Sequence, residues 1–247
     1  MKKFVTICIL AGMLLLFSGC LVVGFENSGG GNAVQGTGDR VSNNFTIPSF
    51  TGIDISGGYT VVYRYSANHA VIVEMHENLF NYLNVGVQNG VLRIDSTRSF
   101  RTGSGERPHI YVYAPFLDSV AVSGAITAEG WDTIRTGELH VNIGGSADGT
   151  ISMEVENFEI SVAGATSLHF TGTATSAIVN VAGAGSIYAE YLQTENARVT
   201  IAGTGTVEIA VSETLDVTVG GVGSVTYIGD PQVSQTIAGM GSVRRRD

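Results

Sequence analysis

VNVAGAGSIYAE (179–190) and VTIAGTGTVEIA (199–210) are one phrase written twice, twenty residues apart. Each reads Val or Ile, a polar residue, Val or Ile, a small residue, Gly, then any residue, Gly, Ser or Thr, and a further apolar residue. Related phrases end on Gly124, Gly145, Gly164, Gly183, Gly203, Gly221 and Gly239, at spacings of 21, 19, 19, 20, 18 and 18. A nearly fixed interval of this size is the mark of a solenoid, in which each repeat is one coil stacked on the last. Side chains alternate between the two faces of a strand. The pairs Val141/Ile143, Ile160/Val162, Val179/Val181, Val199/Ile201 and Val217/Val219 therefore share an inner face. Asn142, Ser161, Asn180, Thr200, Thr218 and Thr236 point outward as a polar ladder. A second inward position follows each glycine, at Leu168, Ile187, Val207, Val225 and Val243. The pattern predicts an all-β parallel β-helix with coils of about 18–21 residues, about 4.8 Å apart. A β-sandwich or barrel also has short strands and turns, but it does not call for the same corner at one interval. The seven glycines are expected to turn that corner at positive φ.

Composition agrees. Charged residues are 14% of the chain, against roughly 25% in ordinary domains. The formal net charge is −9. An acidic chain of this kind is not suited to nucleic acid, which asks for a basic surface.

Residues 1–19, MKKFVTICILAGMLLLFSG, have the parts of a secretory signal: Lys2 and Lys3, an apolar run from Phe4 to Phe17, then small residues. With Cys20 the segment resembles the bacterial lipoprotein signal, in which the cysteine is acylated and becomes the new N-terminus. The third position before the cysteine is Phe17, where that pattern usually has Leu. Removing Lys2 and Lys3 would take the net charge from −9 to −11. Cys8 would leave with the signal, so no disulfide and no cysteine metal site is expected. Residues 20–44, the lipidated cysteine followed by a Gly-, Asn- and Ser-rich stretch, read as a flexible tether.

The domain proper is expected over 45–247. Its first part, 45–115, is less regular, and 116–247 carries the repeat coils. YTVVYRYS (59–66), HAVIVEMHE (69–77) and HIYVYAP (109–115) alternate like strands. Asn89-Gly90, between LNVGVQ and VLRID, is a type I′ hairpin signal. These strands are expected to begin and cap the solenoid. At the other end, Arg244, Arg245 and Arg246 are placed to blunt the open edge of the last coil.

FTGIDISGGYTVVY (50–63), QNGVLRI (88–94) and the serial AGAGS, AGTGT, GGVGS and AGMGS phrases resemble the head GIN domain family, whose members are described as auto-transporter adhesins. The resemblance spans Phe50 to Val243. It implies an extracytoplasmic β-helix, right-handed and often carried on a lipoprotein, and it brings no enzymatic residues.

The chemistry legible in the residues is sparse. Glu154, Glu156 and Glu159, with Asp148 nearby, are the one carboxylate cluster a polysaccharide-cleaving β-helix enzyme would use. Such residues more often form a solvated outer face. Glu74 and His76 share a strand face, while His69, His109, His140 and His169 are scattered without metal-ligand spacing. The loop STRSFRTGSGERP (96–108) is richer. Arg98, Arg101 and Arg107 surround Phe100, with Arg93 just before, and arginine takes carboxylates and sulfates in bidentate fashion. Arg98, Phe100, Arg101 and Arg107 are therefore the candidate ligand contacts. No cofactor and no metal is expected. The expected partners are a membrane, through lipidated Cys20, and a glycan or an envelope protein. The expected function is a non-catalytic, membrane-anchored binding domain of the bacterial envelope. The alternatives are the polysaccharide-active enzyme and a structural protein that self-associates through its coil ends.

Overall fold

The computed structural model describes residues 33–103 and 106–246. The signal segment and Cys20 lie outside them. The coils stack in register along one line: Val120, Val141, Ile160, Val179, Val199, Val217 and Gln235 each pair in parallel with the next. These are the intervals read from the phrase. The result is a β-solenoid of about seven turns.

Each turn is almost wholly strand. Ser146–Val162, Ala165–Val181, Ala184–Ile201 and Thr204–Val219 are separated only by two-residue corners such as Ala163-Gly164 and Ala202-Gly203. All five inward pairs are buried, together with Leu168, Ile187, Val207 and Val225. Val243, in the last coil, is only partly covered. Phe158 and Phe170 fill the wider part of the interior, with ring centroids 4.9 Å apart.

The corner glycines have a different cause from the expected one. None of the seven takes positive φ; that conformation falls at other glycines, such as Gly149, Gly172 and Gly229. Space is what demands glycine at the corner. A Cβ at Gly145 would overlap the carbonyl oxygen of Gly124, and one at Gly164 that of Gly145. The same overlap continues up the column, from Gly203 on Gly183 to Gly239 on Gly221. The corners stack so closely that backbone lies directly on backbone.

The first half caps the stack. Gly52–Ile55 lies between Ser119–Val122 and Val91–Ser96, all parallel. Gly58–Tyr65 lies likewise between Ala125–Ala128 and His109–Ala114. The sheets then turn antiparallel. Leu83–Gln88 pairs with Val91–Ser96 through a hairpin whose Asn89 and Gly90 have φ of 53° and 76°, as the type I′ reading requires. Ala70–His76 covers His109–Ala114, and Arg40–Phe45 covers Ala70–His76. The tether reading is thus too long at its far end. Val34–Gln35 and Arg40–Phe45 are strands of the folded body. Glu77–Tyr82 is a short 3-10 helix.

The other end differs. Among the described residues, Gln232–Ile237 and Met240–Arg245 have a ladder partner on one side only. Arg245 and Arg246 turn back to Asp230 and Glu208 instead of standing across the open edge.

Candidate functional site

One inward column changes size along the axis. In register it runs Tyr59, Ile126, Ala147, Thr166, Gly185, Gly205, Gly223 and Gly241. The large end of this column abuts a pocket of about 650 Å³ at the capped end of the solenoid. That is within the roughly 300–1,000 Å³ of small-molecule sites. Its walls are the corners of the first two coils, Ser56-Gly57-Gly58 and Gly124-Ala125, and the segment from Ser96 to Phe100. Thr102, Arg107 and Pro108 close it.

Three of the four candidate contacts, Arg98, Phe100 and Arg107, line this pocket. Arg101 does not; it follows Phe100 on a two-residue strand and is exposed. Arg93 leans toward Asp54 at 3.9 Å. The loop is held from a direction the sequence did not suggest. Val34–Gln35 pairs with Phe100–Arg101, and the Val34 N–H donates to the Ser99 carbonyl at 2.8 Å. Phe100 packs its half-buried ring against the core. Arg107 is oriented by a bond from Nη1 to Thr127 Oγ1 at 3.0 Å.

The pocket has a basic, hydroxyl-rich lining. No Asp or Glu is among its lining residues. The neighbouring acids are turned elsewhere: Glu106 pairs with Arg40 at 3.3 Å, and Asp95 accepts from Asn84 at 2.7 Å. Among the described residues, neither Arg98 nor Arg107 has a carboxylate within salt-bridge distance.

Behind the wall stands Tyr59, fully buried, with no hydrogen-bond partner for its hydroxyl among the described residues. The end of its ring occupies the place a Gly57 side chain would take. Burial pushes the Tyr59 phenol pKa up. The nearby Ser96 hydroxyl works the other way but falls short of hydrogen-bond geometry, and the Asp95 carboxylate adds to the rise. Tyr59, Ser56 and Ser96 were not among the residues singled out for chemistry. The one signal for them was that GIDISGGYT anticipates the repeat phrase, with a tyrosine where later coils have small or aliphatic residues.

The carboxylate cluster does not converge on a shared site. Glu154 receives Arg135 in bidentate fashion at 2.9 and 3.0 Å. Glu159 faces His140 at 3.4 Å, one coil below. Asp148 accepts from Thr127 at 3.3 Å. Glu156 is exposed. The histidines are likewise occupied locally. His76 Nδ1 contacts the Gly38 carbonyl and Glu74 holds Arg40, while His69 Nε2 contacts the Phe50 carbonyl. His109 Nδ1 lies 3.1 Å from Arg40, and His169 stacks on Tyr188. Among the described residues no group of three or more His, Cys, Asp or Glu is placed to hold a metal.

Parallel coils under an antiparallel cap, with a basic pocket where the two meet, define a capped β-solenoid. The chain belongs to the family described as "Putative auto-transporter adhesin, head GIN domain", whose model matches residues 49–231. Solved structures share the fold. A "putative adhesin" from Bacteroides fragilis NCTC 9343 is similar with a TM-score of 0.77 at 20% identity, covering 87% of this chain and 100% of that one. A "putative lipid binding protein" from Parabacteroides distasonis ATCC 8503 gives 0.66 at 22%, with the same coverage. A "putative adhesin" from Parabacteroides merdae ATCC 43184 gives 0.62 at 21%, covering 87% of this chain and 99% of that one. No curated protein matches the sequence significantly.

Proposed function

We propose that the chain is a lipid-anchored, non-catalytic binding module of the bacterial envelope that presents its solenoid to a surface glycan. One observation carries this reading. The pocket at the first coil is rich in hydrogen-bond donors and, among the described residues, is lined by no carboxylate. Glycoside cleavage uses two carboxyl groups flanking the scissile bond. A site of arginines, hydroxyls and one aromatic ring lacks the carboxyl pair of a glycoside hydrolase and is equipped to hold a sugar. The acids an enzyme would have used, Glu154 and Glu159, are engaged with Arg135 and His140. Family membership supports placement at the cell surface or in the envelope.

The anchor rests on the signal and Cys20. Two acyl chains are enough for stable attachment, where one is marginal. Counted along the sequence, about a dozen residues lie between Cys20 and Val34, where the first described strand starts. The test is Cys20→Ser in cells, read by fatty-acid labelling and membrane fractionation. The variant is expected to lose the label and leave the membrane fraction. Unchanged fractionation overturns the anchor.

A second reading, self-association through the coil end, is favoured by the bare last coil. There Val233, Ile237 and Met240 are exposed beside an unpaired strand edge. Ile237→Lys should then lower the mass seen by light scattering; an unchanged mass counts against this reading.

A further inference from the structure

We propose that the pocket between the first-coil corner and the Ser96–Phe100 segment is a recognition site for an anionic sugar, with Arg98 and Arg107 as the anion clamp and Phe100 as the apolar wall. The inference deepens the binding-module reading and rests on it for the class of ligand.

Three independent features meet there. The first is charge. The chain has a net charge of −9, yet among the described residues two arginines and no Asp or Glu line this pocket. Such a site attracts a carboxylate, sulfate or phosphate against the overall field of the protein, and a planar guanidinium engages each in bidentate fashion.

The second is unsatisfied hydrogen-bonding capacity. The Tyr59 hydroxyl is buried and has no partner among the described residues, at the Gly57 and Ser96 wall. Leaving a buried hydroxyl unpaired is costly, and such groups are rare in native folds. Ser96 lies beside that phenol and lines the pocket, where it brings a hydroxyl to a ligand. Ser56, Thr97 and Ser99 offer further hydroxyls to a polyol.

The third is construction. The pocket wall is braced and is not a free loop. Val34–Gln35 adds a strand to Phe100–Arg101, Arg107 is tied to Thr127, and Phe100 is packed on the core. Pre-positioned groups lower the ordering cost of binding. The half-buried aromatic ring supplies the apolar surface on which the C–H face of a pyranose can rest.

The shared chemistry, an anion on a hydroxylated body, also describes a phospholipid headgroup. The sugar is favoured because hydroxyl-bearing residues and the two arginines make up most of the lining, with Phe100 as its one aromatic residue.

The experiment is calorimetric titration of the full-length chain in mild detergent with galacturonate, with neutral galactose as the matched control. Arg98→Gln and Arg107→Gln are tested alongside, and vesicles containing phosphatidylglycerol serve as the second source of anion. Arg107 also supports Thr127, so the exposed Arg98 provides the variant that leaves the fold intact, checked by circular dichroism. Galacturonate is expected to bind at least tenfold more tightly than galactose. Each substitution is expected to weaken it at least tenfold, and added salt to weaken it further. Absence of galacturonate binding up to millimolar concentration overturns the proposal, as does equal binding by Arg98→Gln. Binding to the vesicles alone, lost in Arg98→Gln, overturns it in favour of a headgroup. Failure here leaves the Cys20 anchor untouched, and failure of the anchor leaves this titration unaffected.

Discussion

Gly220 and Gly221 are adjacent, chemically identical, and predicted to respond to alanine in opposite directions. A Cβ at Gly221 would overlap the carbonyl oxygens of Gly203 and Ala202, and neither is a side chain that can swing aside. Making room means lifting the corner off the coil below. Three bonds hold it there: Gly220 N–H to Ile201 O at 2.8 Å, Gly221 N–H to Ile201 O at 3.2 Å, and Val222 N–H to Gly203 O at 2.9 Å. At about 1 kcal/mol net for each bond, the disruption costs about 3 kcal/mol. Overpacking a tight site gives a similar about 1–3 kcal/mol. Alanine recovers about 0.4–1 kcal/mol by narrowing the unfolded ensemble. Gly221→Ala should therefore lose about 2–3 kcal/mol, or roughly 4–10 °C in Tm for a fold of this size. At Gly220 the nearest atom to a Cβ is Ile201 O at 4.0 Å. Other coils already carry alanine there, at Ala163, Ala182, Ala202 and Ala238. Gly220→Ala should keep only the entropic gain and raise Tm by roughly 1–3 °C. Thermal melts followed by circular dichroism decide the matter. A Gly221→Ala protein as stable as the parent, or a Gly220→Ala loss of equal size, would refute the backbone-on-backbone explanation of the glycine column.

Phe170→Ala removes a fully buried ring in contact with Phe158 and should cost about 3–5 kcal/mol in urea unfolding; a loss below about 1 kcal/mol would mean the interior collapses freely around the site. Tyr63, buried and donating to the Ala114 carbonyl, has its pKa pushed up to about 12 by burial, with Asp132 and Tyr65 adding to the rise. The unfolded chain releases this proton near pH 10 while the folded one keeps it, so stability should fall as pH rises from about 10 toward 12. Tyr63→Phe should flatten that fall, and an unchanged pH slope would remove Tyr63 from the account.

The repeat half was legible because each coil is a local copy of one rule. Two alternating inward residues and a corner were enough to give the register from Val120 to Gln235, and the hairpin at Asn89-Gly90 carries its own conformational signature. What was misread depended on contacts distant in sequence. Residues 34–45 look like a linker by composition, yet Val34–Gln35 and Arg40–Phe45 are strands because Phe100–Arg101 and Ala70–His76 offer them free edges. The corner glycines were recognised, but a steric demand from the preceding coil cannot be told from a dihedral demand within one strand. The candidate pocket was half visible. A run of arginines around Phe100 stood out against a low-charge chain, whereas Tyr59, Ser56 and Gly124 meet it only because the first-coil corner and the 96–100 segment fold side by side. Arg101, equal to its neighbours in the sequence, is left outside by strand alternation.

The central claim is that this solenoid holds a glycan without altering it. The most direct test presents the full-length chain to an array of neutral and acidic glycans and follows the mass of every glycan after incubation. Retention of acidic glycans at unchanged mass is the predicted result. Shortened, saturated products would contradict it and return attention to the carboxylates from Glu154 to Glu159, and unsaturated ones would contradict it and point to elimination at the arginine-lined pocket; absence of retention would contradict it as well and favour association between coil ends.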